Sequence, residues 1–300
     1  MRFIRFIYHS SEQLGSVLSM NGKICLVTGA THGIGLATAR ALAASGATVL
    51  VHGRDLARAR TVAEDIGCDT GNPQVRFVQA DFAQLAQVRR LAQELQAQLP
   101  RLDVLINNAG VIAAVHTRSV DGYDLSFAVN HLAPFLLTAL LLDKLKGSAP
   151  SRVIVVASDA HRRATLDFGD LMNARVSGSL AAYERSKLAN VLFARSLARR
   201  LAGSGVTVNA LHPGLVRSHL FRNGPRLLRV LLSSVARPFM LSPQQGARAS
   251  VYLAAAPELE GQSGGYYHGC RRVAPSAAAQ SEACAERLWQ ESARLTGLAA

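Results

Sequence analysis

The chain has 300 residues, 49% of them hydrophobic, with 33 Lys and Arg against 20 Asp and Glu and a formal net charge of +13. No Pro-rich, low-complexity or short-period repeat stretch divides it, so a single α/β domain with ample core material is expected rather than two small ones. The basic residues are mostly arginines in scattered pairs (Arg89-Arg90, Arg162-Arg163, Arg199-Arg200, Arg271-Arg272) rather than one stripe, which argues for solvated helix faces and against a nucleic-acid partner.

In chain order, residues 1–20 read as an N-terminal extension. Arg5, His9 and Glu12 interrupt its apolar patches, so it offers neither the ~18 apolar residues of a spanning helix nor the core of a signal peptide. Phe3, Ile4, Phe6 and Ile7 beside Arg2 and Arg5 suit a weak interfacial anchor, which allows peripheral membrane contact at most. Ile24 to Val27 is a short apolar run of the kind a buried parallel strand needs, and Leu36 to Ser45 has helical composition, with Gly46 as its stop. Between them lies Thr28-Gly29-Ala30-Thr31-His32-Gly33-Ile34-Gly35. A glycine-rich turn into a helix N-terminus presents bare N–H groups to an anion, with Gly29 shaping the turn, Gly33 admitting a phosphate and Gly35 allowing close helix–strand packing. The spacing is G-x-x-x-G-x-G, and alone it suits a phosphate cradle or an ordinary connection equally.

Thr48 to Arg54 supplies a second strand at the distance one βαβ unit requires. Arg54 at its end suits a 2′-phosphate, with His32 as a second cation, so NADP is expected over NAD, and Asp55 is placed as helix N-cap. A solvated turn arginine is the other reading of Arg54. Val75 to Ala80 is a third strand with Asp81-Phe82 at its carboxyl end, and Leu102 to Ile106 a fourth, running into Asn107-Asn108-Ala109-Gly110. Gly122 to Leu145 reads as one long apolar helix containing Asn130, either a local hydrogen-bonding residue or a site residue. Arg152 to Ala157 is a fifth strand ending at Ser158.

Tyr183 and Lys187 lie four apart on a helix running to about Leu201, so both project from one face. An ammonium beside a phenol lowers its pKa from about 10 toward the working range of an acid/base, although such a pair also arises on ordinary surfaces. Val206 to Leu211 is a sixth strand followed by His212-Pro213-Gly214. Leu215 to Met240 contains an amphipathic helix candidate, and Ser242-Pro243 caps another helix. Gly264 to Tyr267 begins a short seventh strand, and a final helix ends near Leu298. Cys25, Cys68, Cys270 and Cys284 show neither C-x-x-C nor metal-ligand spacing, so no metal is expected, and they suit a reducing cytoplasm.

Together, in this order, these motifs resemble the short-chain dehydrogenase/reductase family from Lys23 to about Gly269. NGKICLVTGA, INNAGV, VNHLAPFLLT, SKLANVLFA and VTVNALHPG resemble its retinol dehydrogenase and protochlorophyllide reductase branch. The resemblance implies a Rossmann-type, three-layer, doubly wound parallel sheet of about seven strands spanning 21–300, with variable substrate-lid segments 159–182 and 215–241. It implies Tyr183 as acid/base, Ser158 polarising the carbonyl, Lys187 on the nicotinamide ribose and Asn130 holding a relay water. The cofactor would lie along Gly29, Thr31 to Gly35, Arg54, Asp81, Phe82, Asn108 to Gly110, Tyr183, Lys187, Pro213, Gly214 and Val216. The activity implied is NADP-dependent interconversion of a lipophilic aldehyde or ketone and its alcohol, in a cytoplasmic chain able to form a homodimer through the 122–145 and 181–201 helices. A non-enzymatic NADP(H)-binding regulatory protein on the same fold is the alternative.

Overall fold

The computed structural model describes residues 19–173, 175, 178–217 and 240–299. The anchor motif of the N-terminal extension and the amphipathic helix expected after Leu215 lie outside these residues.

The apolar runs form β1 (Ile24–Val27), β2 (Thr48–Gly53), β3 (Val75–Gln79), β4 (Val104–Asn107), β5 (Ser151–Val156) and β6 (Val206–His212). Between the first four run α1 (Gly33–Ala44), α2 (Leu56–Thr70) and α3 (Leu85–Gln98). Asp55 caps α2 by accepting the Arg58 N–H, as its position predicts, and Gly71 ends that helix at φ 66°.

The strand order is β3-β2-β1-β4-β5-β6-β7-β8, with β7 at Tyr266–His268 and β8 at Arg271–Val273. Pairings from β3 through β7 are parallel, and the order reverses between β1 and β4, the switch point where α/β sheets bind ligands. The expectation of about seven strands is corrected to eight. β8 returns antiparallel on β7, with His268 opposite Arg271 and Tyr266 opposite Val273. Its three residues, two of them arginine, carry no alternation that marks a strand, and only pairing with β7 makes them one.

Side chains alternate between the faces of the sheet. Cys25, Val27, Val49, Val51 and Ile106 pack under α1, α2 and α8 (Pro243–Ala255). Leu26, Leu50, Leu105, Val153 and Val155 pack on the opposite side, against α3 and the helices that follow β4 and β5. Those after β4 correct the expected single helix: the stretch breaks into α4 (Leu125–Phe127), a π-turn (Ala128–Leu132), α5 (Ala133–Leu140) and α6 (Leu142–Gly147). Pro134 has no N–H for the carbonyl four residues before it, that of Asn130, so a regular α-helix cannot run through.

The connection after β5 opens with a 3₁₀ turn at Asp159–Arg163 and leads to α7 (Ser179–Arg200). The chain closes with α9 (Ala277–Gln280) and α10 (Glu282–Thr296). On α10, Trp289 packs edge-on to Phe135 with ring centres 5.0 Å apart and stacks on Phe193 at 6.1 Å, while Arg200 covers its ring and pairs with Glu286 at 2.8 Å. This helix therefore lies over faces of α5 and α7. Among the described residues no helix is long and apolar enough to cross a membrane.

Candidate active site

The site is assembled at the carboxyl ends of the strands. The Thr28 hydroxyl donates to the Ile106 carbonyl and accepts the N–H groups of Asn108 and Ala109 at 2.9 and 3.0 Å. Asn108 Nδ2 donates back to the Thr28 and Gly29 carbonyls at 2.8 and 3.1 Å, locking the end of β4 onto the glycine turn. Gly29 has φ 62°, and a Cβ there would stand 2.8 Å from Ala109 Cα, so close approach and a positive φ both require glycine. His32 is the N-cap of α1, Thr31 packs its methyl against Gly53, and no acidic residue stands in the first turn of the helix. Gly33, Ile34 and Gly35 thus open a 12-residue helix whose positive end suits an anion.

His52 is a site residue that sequence reasoning left unassigned. Gly29 N–H donates to its Nδ1 at 3.1 Å, so Nε2 carries the proton and donates to the Ala80 carbonyl, also at 3.1 Å. Its ring lies 4.4 Å from that of buried Phe82. The neighbouring Asp81 accepts the Ala83 N–H, while its own N–H donates to Gln87. Burial lowers the His52 pKa to about 4, and burial does the same to His131 in the helical layer. Between pH 6.5 and 4 the unfolded chain therefore binds protons that the folded chain refuses, so stability is full above 6.5 and is lost as pH falls toward 4, by ~3 kcal/mol per histidine. Thermal unfolding followed across that range should show a falling midpoint, with a flatter slope for His52→Asn, which keeps an acceptor for Gly29.

Arg54 and Arg58 are exposed at the end of β2 and in the first turn of α2, and Arg58 Nη2 lies 3.5 Å from the Thr31 carbonyl of the glycine turn. Arg58 was missed in the sequence, although its place four residues after Arg54 is a usable signal.

The polar residues from four elements converge next. Lys187 Nζ is buried, donates to the Val156 carbonyl at 3.0 Å and lies 5.5 Å from the centre of the Tyr183 ring. The Ser158 side chain stands near enough to the Tyr183 phenol to favour its ionised form. Ser158 caps the 3₁₀ turn, its Oγ accepting the Ala160 N–H at 3.2 Å, which leaves its own proton for another acceptor. Asn130 exchanges two hydrogen bonds with the backbone of Val111 and donates to Ser186 Oγ. A Cβ on Gly110 would lie 3.4 Å from both Asn130 Oδ1 and Lys187 Nζ, so these two groups face the same bare backbone. After β6, Gly214 has φ 89°, Val216 bridges to Leu241, and the Val216 and Ile34 side chains both crowd the place a Cβ on Gly246 would take.

One expectation is reversed. The Tyr183 phenol is pushed up to about 12, because burial outweighs the opposing influence of Ser158, and burial also lowers Lys187 to about 8. In the chain by itself desolvation dominates, and the phenol is the stable form at neutral pH.

Residues 23–226 match the sequence pattern of the short chain dehydrogenase family. The chain belongs to that family. It is 46% identical over 289 residues to mouse retinol dehydrogenase 13, covering 95% of this chain and 86% of that one. The crystal structure of an uncharacterized protein from Mycobacterium paratuberculosis superposes with a TM-score of 0.77 at 32% identity, over 95% of this chain and 97% of that one. The Pseudomonas aeruginosa RhlG/NADP active-site complex gives 0.67 at 29% identity, over 87% and 98%. The chain is thus an oxidoreductase of CH–OH groups in the retinol dehydrogenase-like branch, with a nicotinamide dinucleotide as cofactor. The glycine turn, where a Cβ at Gly29 or Gly35 would strike neighbouring backbone, and the bare backbone at Gly110 facing Lys187 fit that group.

Proposed function

We propose that this short-chain dehydrogenase interconverts a lipophilic aldehyde or ketone and its alcohol using NADP(H), with Tyr183 as acid/base. The reading is carried by the buried Tyr183 phenol with the Ser158 side chain near it and Lys187 beside its ring, at the carboxyl edge of the sheet. The bound cofactor supplies or accepts the hydride at the nicotinamide ring. Ser158 donates its hydroxyl proton toward the carbonyl oxygen and orients it. Tyr183, held as phenol, delivers a proton to that oxygen in reduction and takes one back in oxidation. Lys187 holds the nicotinamide ribose, and its buried ammonium favours the phenolate when the proton leaves. Asn130 fixes Val111 and Ser186 around Lys187, and its main-chain carbonyl, deprived of an α-helical donor by Pro134, suits a relay water.

Gly29 and Thr31 to Gly35 would hold the phosphates, Asp81 and Phe82 the adenine, Asn108 to Gly110 the adenosine-ribose side, and Pro213, Gly214 and Val216 the nicotinamide end. NADP is favoured by Arg54 with Arg58, two guanidinium groups at the edge of the phosphate turn. Replacing both with Ala should raise the KM for NADPH roughly 10- to 100-fold and leave that for NADH nearly unchanged; equal effects on both would remove the 2′-phosphate assignment.

A lipophilic substrate is supported by Val115, Leu215 and Leu241 on the connections that follow β4 and β6 and by Leu180 at the start of α7, all exposed apolar residues. Segments 159–182 and 215–241 would wall the pocket. A panel of aldehydes, ketones and sterols, followed by NADPH and NADH absorbance, tests the reading, and turnover confined to small polar carbonyls would overturn the substrate class. We keep a cytoplasmic location, since Cys25, Cys68, Cys270 and Cys284 are all free thiols. A homodimer on the α5 and α7 side would include α10 in its surface.

A further inference from the structure

We propose that His161 is a positioning residue that holds Ser158 in register for the reaction by bolting its turn to the C-terminal segment that follows β8. The inference rests on the role given to Ser158 above. Ser158 stands two residues past the last paired residue of β5, and its Oγ is the group the reaction needs. The Ser158 carbonyl is gripped twice by one residue, by the His161 main-chain N–H at 3.1 Å and by ring Nδ1 at 2.8 Å. The opposite ring nitrogen, Nε2, accepts the Ser276 N–H at 3.0 Å. A backbone N–H can only donate, so Nε2 bears no proton and Nδ1 must carry one. The ring therefore has a single usable tautomer, with one end on the site and the other on the chain beyond β8.

The surroundings fix the ring further. His161 is fully buried, and the Tyr266 ring of β7 meets it edge-on, with centres 4.9 Å apart. Next door, Arg162 donates to the Ala274 carbonyl at 2.8 Å and to Asp159 at 2.6 Å, so two consecutive side chains tie the turn to Ala274 and Ser276. This gives the eighth strand a purpose: the reversal at β8 is what brings Ala274–Ser276 back to the edge where Ser158 stands.

The two grips can be separated. The Asn amide reaches where Nδ1 stands, so His161→Asn keeps a donor for the Ser158 carbonyl and loses Ser276. The Gln amide reaches where Nε2 stands, so His161→Gln keeps an acceptor for Ser276 and loses Ser158. His161→Gln is expected to lower kcat about tenfold or more, since small misplacements of a reacting group cost that much, with NADPH affinity and KM little changed. His161→Asn, which gives up only the tether to Ser276, should lower kcat several-fold, less than His161→Gln.

The deciding measurement is a double-mutant cycle with Ser158→Ala, read on residual turnover. With the hydroxyl gone there is nothing to position, so His161→Gln should add little further loss. A loss that persists undiminished in the Ser158→Ala background would mark His161 as merely structural and overturn the proposal, as would unchanged kcat in His161→Gln alone. Unchanged kcat in Ser158→Ala would overturn the reading of the site itself, and this inference with it. Should His161→Gln not fold, Ser276→Pro takes its place: it removes the N–H at φ −64°, which proline accepts, and should lower kcat several-fold only when Ser158 is present.

Discussion

Replacing Tyr183 with Phe is expected to lower kcat by about 10²- to 10⁴-fold, the range that a positioned acid/base contributes, while NADPH binding stays within a few-fold of wild type. The substitution removes one oxygen from a buried ring and leaves the ring itself packed over Lys187. The ring keeps its packing, so the variant should fold and bind. Equal losses in kcat and kcat/KM would mean that the hydroxyl acts in the transition state rather than in substrate binding. Unchanged turnover would remove Tyr183 from the chemistry. Burial keeps the phenol protonated, at about 12 in the chain alone, which is the form the proposed reduction requires.

Gly35→Ala should be nearly as damaging, by a different route. A Cβ at this position would collide with the Gly29 carbonyl and with Asn108 Nδ2, the same amide that fastens β4 to the phosphate turn. Neither neighbour can yield cheaply, since one is backbone and the other is held by two carbonyls. The helix must move away from the sheet or the turn must open. Overpacking of this kind costs about 1–3 kcal/mol, or a few degrees in Tm. The larger effect falls on the cofactor: N–H groups aimed at a phosphate lose their alignment, and the Kd for NADPH should rise about 100-fold. Gly147→Ala is the control, because a Cβ there meets nothing within 4 Å, and it should leave Tm and Kd unchanged. Equal behaviour of the two variants, read by cofactor titration and thermal unfolding, would dissolve the argument from close packing.

The corrections to the sequence reading share one cause. β8 has no pattern of its own and exists through pairing with β7. The break in the 122–145 stretch was signalled by Pro134, but apolar composition on both sides hid it. Tyr183 and Lys187 are four apart in any helix, which suggested an ammonium that lowers a phenol; the balance is set instead by how deeply both are buried, and that is a property of the whole fold.

By itself the sequence marked the βαβ rhythm, the apolar runs that became strands and the glycine turn, and its family resemblance pointed to a parallel sheet and to Asn130, Ser158, Tyr183 and Lys187 as candidate site residues. Apolar runs, glycines and polar residues at strand ends are local signals, and each constrains its own segment directly. The tertiary structure alone decided that His52 braces Gly29 against Ala80, that Arg58 reaches the Thr31 carbonyl, and that His161 ties Ser158 to Ser276. A histidine has two nitrogens and no strong preference for helix or strand, so its partners are fixed by what the folded chain brings within 3 Å, across separations as long as the 115 residues from His161 to Ser276.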